Sequence, residues 1–397
     1  MNLRTFLNTY KITQKIFSRK LGISPISLSR YLSGERFPEK QILEKIYSLT
    51  DGIVTANDFI NTKNEEKKIN GDDIESLEKL ILDLRKGSRF HLAKAITMIE
   101  SSLKRDIQNT EFLLQKLKPE NNTIRIGITG VPGVGKSTFI ESLGIKLIEK
   151  GYKVAVLAVD PSSKKTGGSI LGDKTRMQKL SVNENAFIRP SPSDGHLGGV
   201  AKKTRESIIC LENAGYNIIF IETMGVGQAE TTVCDMVDIF LVLLLPAGGD
   251  ELQGIKKGII ELADVIIVNK ADGSLEKSAD LTVREYSNAV SILGRDDSQE
   301  NLEIFKCSSL NLNGLDKIWK FIQNFTNIRK KNKKFFINRD SQRLKWLWES
   351  INLKSSDYIN KYLKEKEFVK IVEKNVKDRS LGVVEASNII FELFSKK

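Results

Sequence analysis

Histidine and cysteine are scarce in this chain, with two and three among 397 residues. His91, His196, Cys210, Cys234 and Cys307 lie far apart, so they assemble no zinc-ligand spacing of the usual kind, and the cysteines read as reduced core residues. Long apolar runs are also missing. The most apolar segment, Ile239 to Leu245, is only strand length, well short of the roughly 18 residues a membrane-spanning helix needs. The chain opens Met-Asn-Leu-Arg-Thr without an apolar signal core, so the expectation is a cytoplasmic protein with no membrane partner. An apolar fraction of 40% with 28% charged residues reads as globular, and the length allows two or three domains. The net charge of +12 is uneven: residues 329–397 hold 18 Lys/Arg against 9 Asp/Glu, which suits an acidic partner or solubility alone.

What the chain does have is Gly130-Val131-Pro132-Gly133-Val134-Gly135-Lys136-Ser137-Thr138, directly after the alternating run Ile124, Ile126, Ile128. Strand, glycine loop and helix in that order form a phosphate cradle. Gly130, Gly133 and Gly135 let backbone N–H groups turn inward, and the helix that follows points its positive end at the same anion. Lys136 is expected to neutralise the β- and γ-phosphates, Ser137 to offer its hydroxyl to Mg²⁺, and Thr138 to complete the loop.

Between residues 123 and 330, apolar strands near 124–129, 153–159, 217–222, 239–245, 265–269 and 302–308 alternate with helical stretches. That pattern predicts an α/β fold, a P-loop NTPase with a mostly parallel sheet, flanked by N-terminal and C-terminal helical regions. Ligands of such sheets sit beyond the carboxyl ends of the strands, where the remaining motifs fall. Asn269-Lys270-Ala271-Asp272 follows the fifth strand; the Asp272 carboxylate can accept both donors of the guanine edge, which adenine lacks, so GTP is expected rather than ATP. Asn269 is expected to brace the loops, the Lys270 stem to cover the base, and Ser308 and Ser309 to close the base contact. Glu222 ends the third strand, followed by Thr223-Met224-Gly225, where an NTPase carries an acid near Mg²⁺ and a glycine N–H near the γ-phosphate. Lys136, Glu222 and Gly225 are therefore the catalytic candidates. Asp160 at the end of the second strand and Asp173 after a glycine-rich stretch are further metal candidates, and Ser137 with one or two of these acids suffices for Mg²⁺.

These residues resemble one family closely, the MeaB/ArgK GTPases. The resemblance is carried by Gly130–Thr138, Val159–Ser163, Thr166–Met177, Arg189–Ser193, Leu197–Ala201, Glu222–Gln228, Gly249–Lys256 and Asn269–Asp272, and covers roughly residues 72–397. It implies Mg²⁺-dependent hydrolysis of GTP, dimerisation through C-terminal helices, and a nucleotide state that gates cobalamin delivery to, and protection of, methylmalonyl-CoA mutase or a related cobalamin-dependent acyl-CoA mutase. It also implies that Asp160, Asp173 and Glu222 are metal and switch acids, and that Gly249–Lys256 signals to the mutase.

Two regions lie outside the core. Residues 1–60 contain Thr13–Gly34, which resembles the helix-turn-helix of lambda-repressor-like (Xre) DNA-binding domains, with Ser24, Ser27 and Arg30 available to DNA. A head of this kind is not a usual part of the family. Its charge, 9 Lys/Arg against 5 Asp/Glu, is only mildly basic. Polar residues 61–71 read as a linker, 72–122 as a helical extension, and 331–397 as a C-terminal helical arm whose apolar stripe suits a homodimer. Two other functions stay open on sequence alone: a DNA-binding regulator with a GTP-sensing core, and an ATP-using kinase of an amino-acid transport system.

Overall fold

The computed structural model describes residues 2–33, 35–60, 71–119, 122–159, 177–191, 197–223, 229–246, 257–292, 302–364 and 366–395. The chain divides into two units, Met1–Glu75 and Ser76–Lys397.

The first unit is helical: α1 (Leu3–Thr9), α2 (Gln14–Leu21), α3 (Pro25–Ser33), α4 (Lys40–Leu49) and α5 (Asn57–Ile60). α2 begins where the Thr13 hydroxyl accepts from the Ile16 amide at 3.3 Å and ends at Gly22 in a left-handed conformation. Ser24 Oγ accepts from the Ser27 amide at 3.0 Å, capping α3, and the two hydroxyls lie 2.9 Å apart. Ser24 and Ser27 thus satisfy the helix start, while Arg30 is exposed. Helices this short are marginal alone. Burial of Phe17, Leu21, Leu28 and Tyr31 with Leu3, Phe6 and Ile46 holds them, at about 1.5–3 kcal/mol for each large apolar side chain.

The boundary between the units falls within α6 (Gly71–Arg85), and α7 (Arg89–Glu100) and α8 (Lys104–Lys116) follow in the second unit. Seven strands follow: β1 (Ile124–Gly130), β2 (Val154–Val159), β3 (Ala186–Ser191), β4 (Ile218–Thr223), β5 (Ile239–Leu244), β6 (Val265–Val268) and β7 (Glu303–Lys306). They form one sheet in the order β3-β2-β4-β1-β5-β6-β7, with every neighbouring pair parallel. β2, β4, β5 and β6 are buried throughout because helices cover both faces. Along β5, Ile239, Leu241 and Leu243 face α9 (Lys136–Glu149), whereas Phe240, Val242 and Leu244 belong to the opposite layer with α7 and α8. α10 (Gln178–Ser181), α11 (Leu197–Asn213), α12 (Ala229–Cys234), α13 (Lys257–Leu262) and α14 (Glu276–Ile292) complete the connections.

The sheet has one strand more than the six expected. β3 carries Arg189 and Pro190, and a proline argues against a central strand. It lies at the sheet edge, with Pro190 opposite Ala158 of β2, where the absent proline N–H breaks no ladder on its open side.

After β7 come α15 (Leu315–Lys331), α16 (Lys334–Tyr358), α17 (Glu367–Lys377) and α18 (Val383–Ser395). Arg339 of α16 is 1% exposed and reaches the amino-terminal edge of the sheet. It donates to Asp238 Oδ1 at 2.8 Å, to Asp238 Oδ2 at 2.7 Å and to the Thr123 carbonyl at 2.7 Å. Arg125 Nε donates to Glu212 at 2.8 Å beside it, giving two arginines matched by two acids. Farther along α16, Leu344, Leu347, Trp348 and Ile351 are exposed at helical spacing.

Candidate functional site

All parallel strands end on one edge, and there β1 passes into Gly130–Thr138. Gly130 has φ +148°, and a Cβ on it would lie 2.4 Å from the Leu243 carbonyl oxygen. Gly135 has φ +92°, and a Cβ there would lie 2.8 Å from Asn269 Nδ2. Only glycine meets both demands, and the resulting turn leads into the fourteen-residue α9. Lys136 is buried and its ammonium donates to the Gly130 carbonyl at 2.8 Å and to the Val131 carbonyl at 3.4 Å, so it is folded over the loop. Gly133 and Thr138 are exposed on that loop.

Beside the loop, the Ser137 hydroxyl donates to Glu222 Oε1 at 3.1 Å. Glu222 is 1% exposed at the end of β4. One residue on, the Thr223 hydroxyl donates to Thr129 Oγ1 at 2.8 Å, joining the ends of β4 and β1. A hydroxyl and a carboxylate side by side are hard oxygen donors of the kind Mg²⁺ takes, so the residues present fit that ion.

The base loops are built from the ends of β6 and β7. Asn269 is buried and works in two directions: its Nδ2 donates to the Val134 carbonyl at 2.9 Å, and its Oδ1 accepts from Ser309 Oγ at 2.7 Å and Ser309 N at 3.2 Å. One amide therefore ties the phosphate loop to both base loops. Lys270 is exposed with φ +57°. The Ala271 amide donates to the Cys307 carbonyl at 2.9 Å, and the buried Ser308 hydroxyl donates to the half-buried Asp272 carboxylate. Ser142 of α9 donates to the Ser309 carbonyl at 2.7 Å.

Gly130, Gly133, Gly135, Lys136, Ser137, Thr138, Glu222, Asn269, Lys270, Asp272, Ser308 and Ser309 thus stand on this one edge. Asp160, Asp173, Gly225, the rest of 224–228, and 249–256 lie outside the described residues. Sequence reasoning did not single out Cys307, Thr129 or Thr223. Cys307 Sγ donates weakly to Asn269 Oδ1 at 3.4 Å, and burial pushes its thiol up to about 12, so it stays protonated. The available signal was positional: each stands at the polar end of an apolar strand.

Residues 92–365 match the family model described as methylmalonyl-CoA mutase-associated GTPase MeaB. The chain belongs to this family. A putative GTPase of Caulobacter vibrioides is 50% identical over 286 residues, covering 72% of this chain and 86% of that one. The mitochondrial methylmalonic aciduria type A homolog of Mus musculus is 40% identical over 332 residues, covering 81% and 80%. Among solved structures, one described as LAO/AO transport system kinase aligns with TM-score 0.64 and 34% identity, covering 81% of this chain and 98% of its own. The MeaB-family match includes the phosphate loop, Glu222 and both base loops, but not residues 1–60.

Proposed function

We propose that this MeaB-family GTPase binds GTP with Mg²⁺ and uses its nucleotide state to gate cobalamin loading and protection of methylmalonyl-CoA mutase or a related acyl-CoA mutase. The carrying observation is the family match across a phosphate loop that Asn269 bonds directly to the base loops. In this reading the Gly130–Gly135 amides and Lys136 bind the triphosphate, and Asp272, oriented by Ser308, accepts the two donors of the guanine edge. Ser137 and Glu222 would hold Mg²⁺ with Asp160 or Asp173, and the bound ion would offset phosphate charge. Glu222, with the Gly225 amide, orients the attacking water, and the residues after it sense the γ-phosphate.

Calorimetry with purified methylmalonyl-CoA mutase tests this. Partner affinity should differ between protein loaded with a GTP analogue and with GDP, and equal affinities overturn the gating. Nucleotide competition is the companion measurement: ATP bound as tightly as GTP would favour the transport-kinase reading instead.

Two further assignments rest on the helical ends. The exposed stripe Leu344, Leu347, Trp348 and Ile351 supports a homodimer through the C-terminal arm, checked by static light scattering of a Trp348→Glu variant, which should halve the mass. Exposed Arg30 on α3, joined to α2 at Gly22, supports DNA binding by residues 1–60. Full-length protein should then shift DNA in a salt-sensitive way that Arg30→Ala abolishes.

A further inference from the structure

A second pocket lies at the opposite edge of the sheet from the phosphate loop. Arg125, at the amino end of β1, and Met236, just before β5, help line a cavity of about 250 Å³. Three of its four arginines are already matched, Arg125 by Glu212, Arg339 by Asp238 and Arg343 by Asp340, and its one lining carboxylate, Asp235, is matched by Lys345.

Arg205 is different. It is 6% exposed, and its Nη1 donates to Glu349 of α16. Its Nε and Nη2 are buried and have no hydrogen-bond partner among the described residues. These two N–H groups form the parallel side of the guanidinium fork, whose spacing matches the two oxygens of a carboxylate. Two further residues of the lining each carry a buried polar atom in the same condition. The Gln342 amide donates to the Val237 carbonyl at 2.7 Å, but among the described residues its Oε1 has no partner, and neither has the Trp346 indole Nε1. Gln342 and Trp346 are four apart on α16 and so share a face. Buried polar groups are normally satisfied, and three on one cavity specify what would satisfy them. They ask for a bidentate acceptor, one more acceptor and one donor. Ile208, Ile209 and Met236 add apolar wall, which suits an aliphatic body better than inorganic phosphate.

We propose that this pocket binds a small aliphatic carboxylate that also carries a hydroxyl or amine donor. The Arg205 fork takes the carboxylate, the Trp346 N–H gives a further bond to the ligand's oxygens, and Gln342 Oε1 receives the donor. The site is separate from the nucleotide edge, so its test needs neither nucleotide nor mutase.

The test titrates full-length protein, nitrogen-15 labelled at tryptophan, with 2-hydroxyisovalerate, isovalerate and inorganic phosphate, each up to about 20 mM to cover weak binding. The Trp346 indole resonance, assigned with Trp346→Phe, should shift saturably with 2-hydroxyisovalerate, more weakly with isovalerate and not with phosphate. Arg205→Lys, which keeps the charge and loses the fork, should weaken binding at least about tenfold. If that variant does not fold, Gln342→Met should remove the preference for the hydroxylated acid. No shift with any carboxylate, an equal shift with phosphate, or full binding by Arg205→Lys or an undiminished preference in Gln342→Met overturns the proposal.

Discussion

The Ser137 hydroxyl donates to Glu222 Oε1 over 3.1 Å, joining the start of α9 to the end of β4 across 85 residues of chain. If this pair organises ion and water at the γ-phosphate, Glu222→Ala should keep GTP bound, because base and loop contacts survive. Hydrolysis should fall by about a hundredfold or more, a typical loss for a positioned acid or base group. Single-turnover hydrolysis set against equilibrium binding separates the two effects. Loss of both together would place Glu222 in the structure of the loop instead.

Lys136→Ala removes the only ammonium folded over Gly130 and Val131 among the described contacts of that loop. Hydrolysis should be abolished, since the charge that offsets the phosphates goes with it. A wild-type rate in a phosphate-release assay would sink the phosphate-loop assignment.

Asp272→Asn should weaken GTP binding and raise affinity for xanthosine triphosphate, whose O2 accepts from the new amide. Ser308 can still donate to the side-chain oxygen, so the loop should stay in place. Competition between the two nucleotides reads the outcome, and an unchanged base preference rejects the base site.

Arg339→Ala should destabilise the fold by about 3–5 kcal/mol, because Asp238 is left charged and buried without its main partner. Chemical denaturation measures this directly. A loss below about 1 kcal/mol would mean that Arg125 alone satisfies both acids.

Glu206 supplies a pH dependence. Burial raises its carboxyl from 4.5 to about 7, against the pull of Lys202 and Lys203. Between those values the folded chain holds a proton that the unfolded chain has lost, so stability falls as pH rises through this window and the cost is complete above about 7. Glu206→Gln should therefore be more stable than wild type above that window, by up to about 3 kcal/mol, with the gain vanishing below the lower value. Thermal unfolding at both ends of the window checks the sign.

The phosphate loop, Glu222 and Asn269–Asp272 were legible because each is a local signal: glycines at fixed offsets, an acid or amide at the end of an apolar run. Those spacings determine a strand, a turn and a helix by themselves, and the alternation of apolar runs determines a parallel sheet covered on both faces. β3 escaped because Pro190 speaks against a strand everywhere except at an edge, and edges are decided by strand order, not by local preference. Arg339 and Asp238 stand 101 residues apart, and Asn269 and Val134 stand 135 apart. No periodicity pairs such residues. Only the fold brings α16 back to the strand starts, where burial raises the worth of each matched charge and leaves the unmatched edge of Arg205 as a chemical demand.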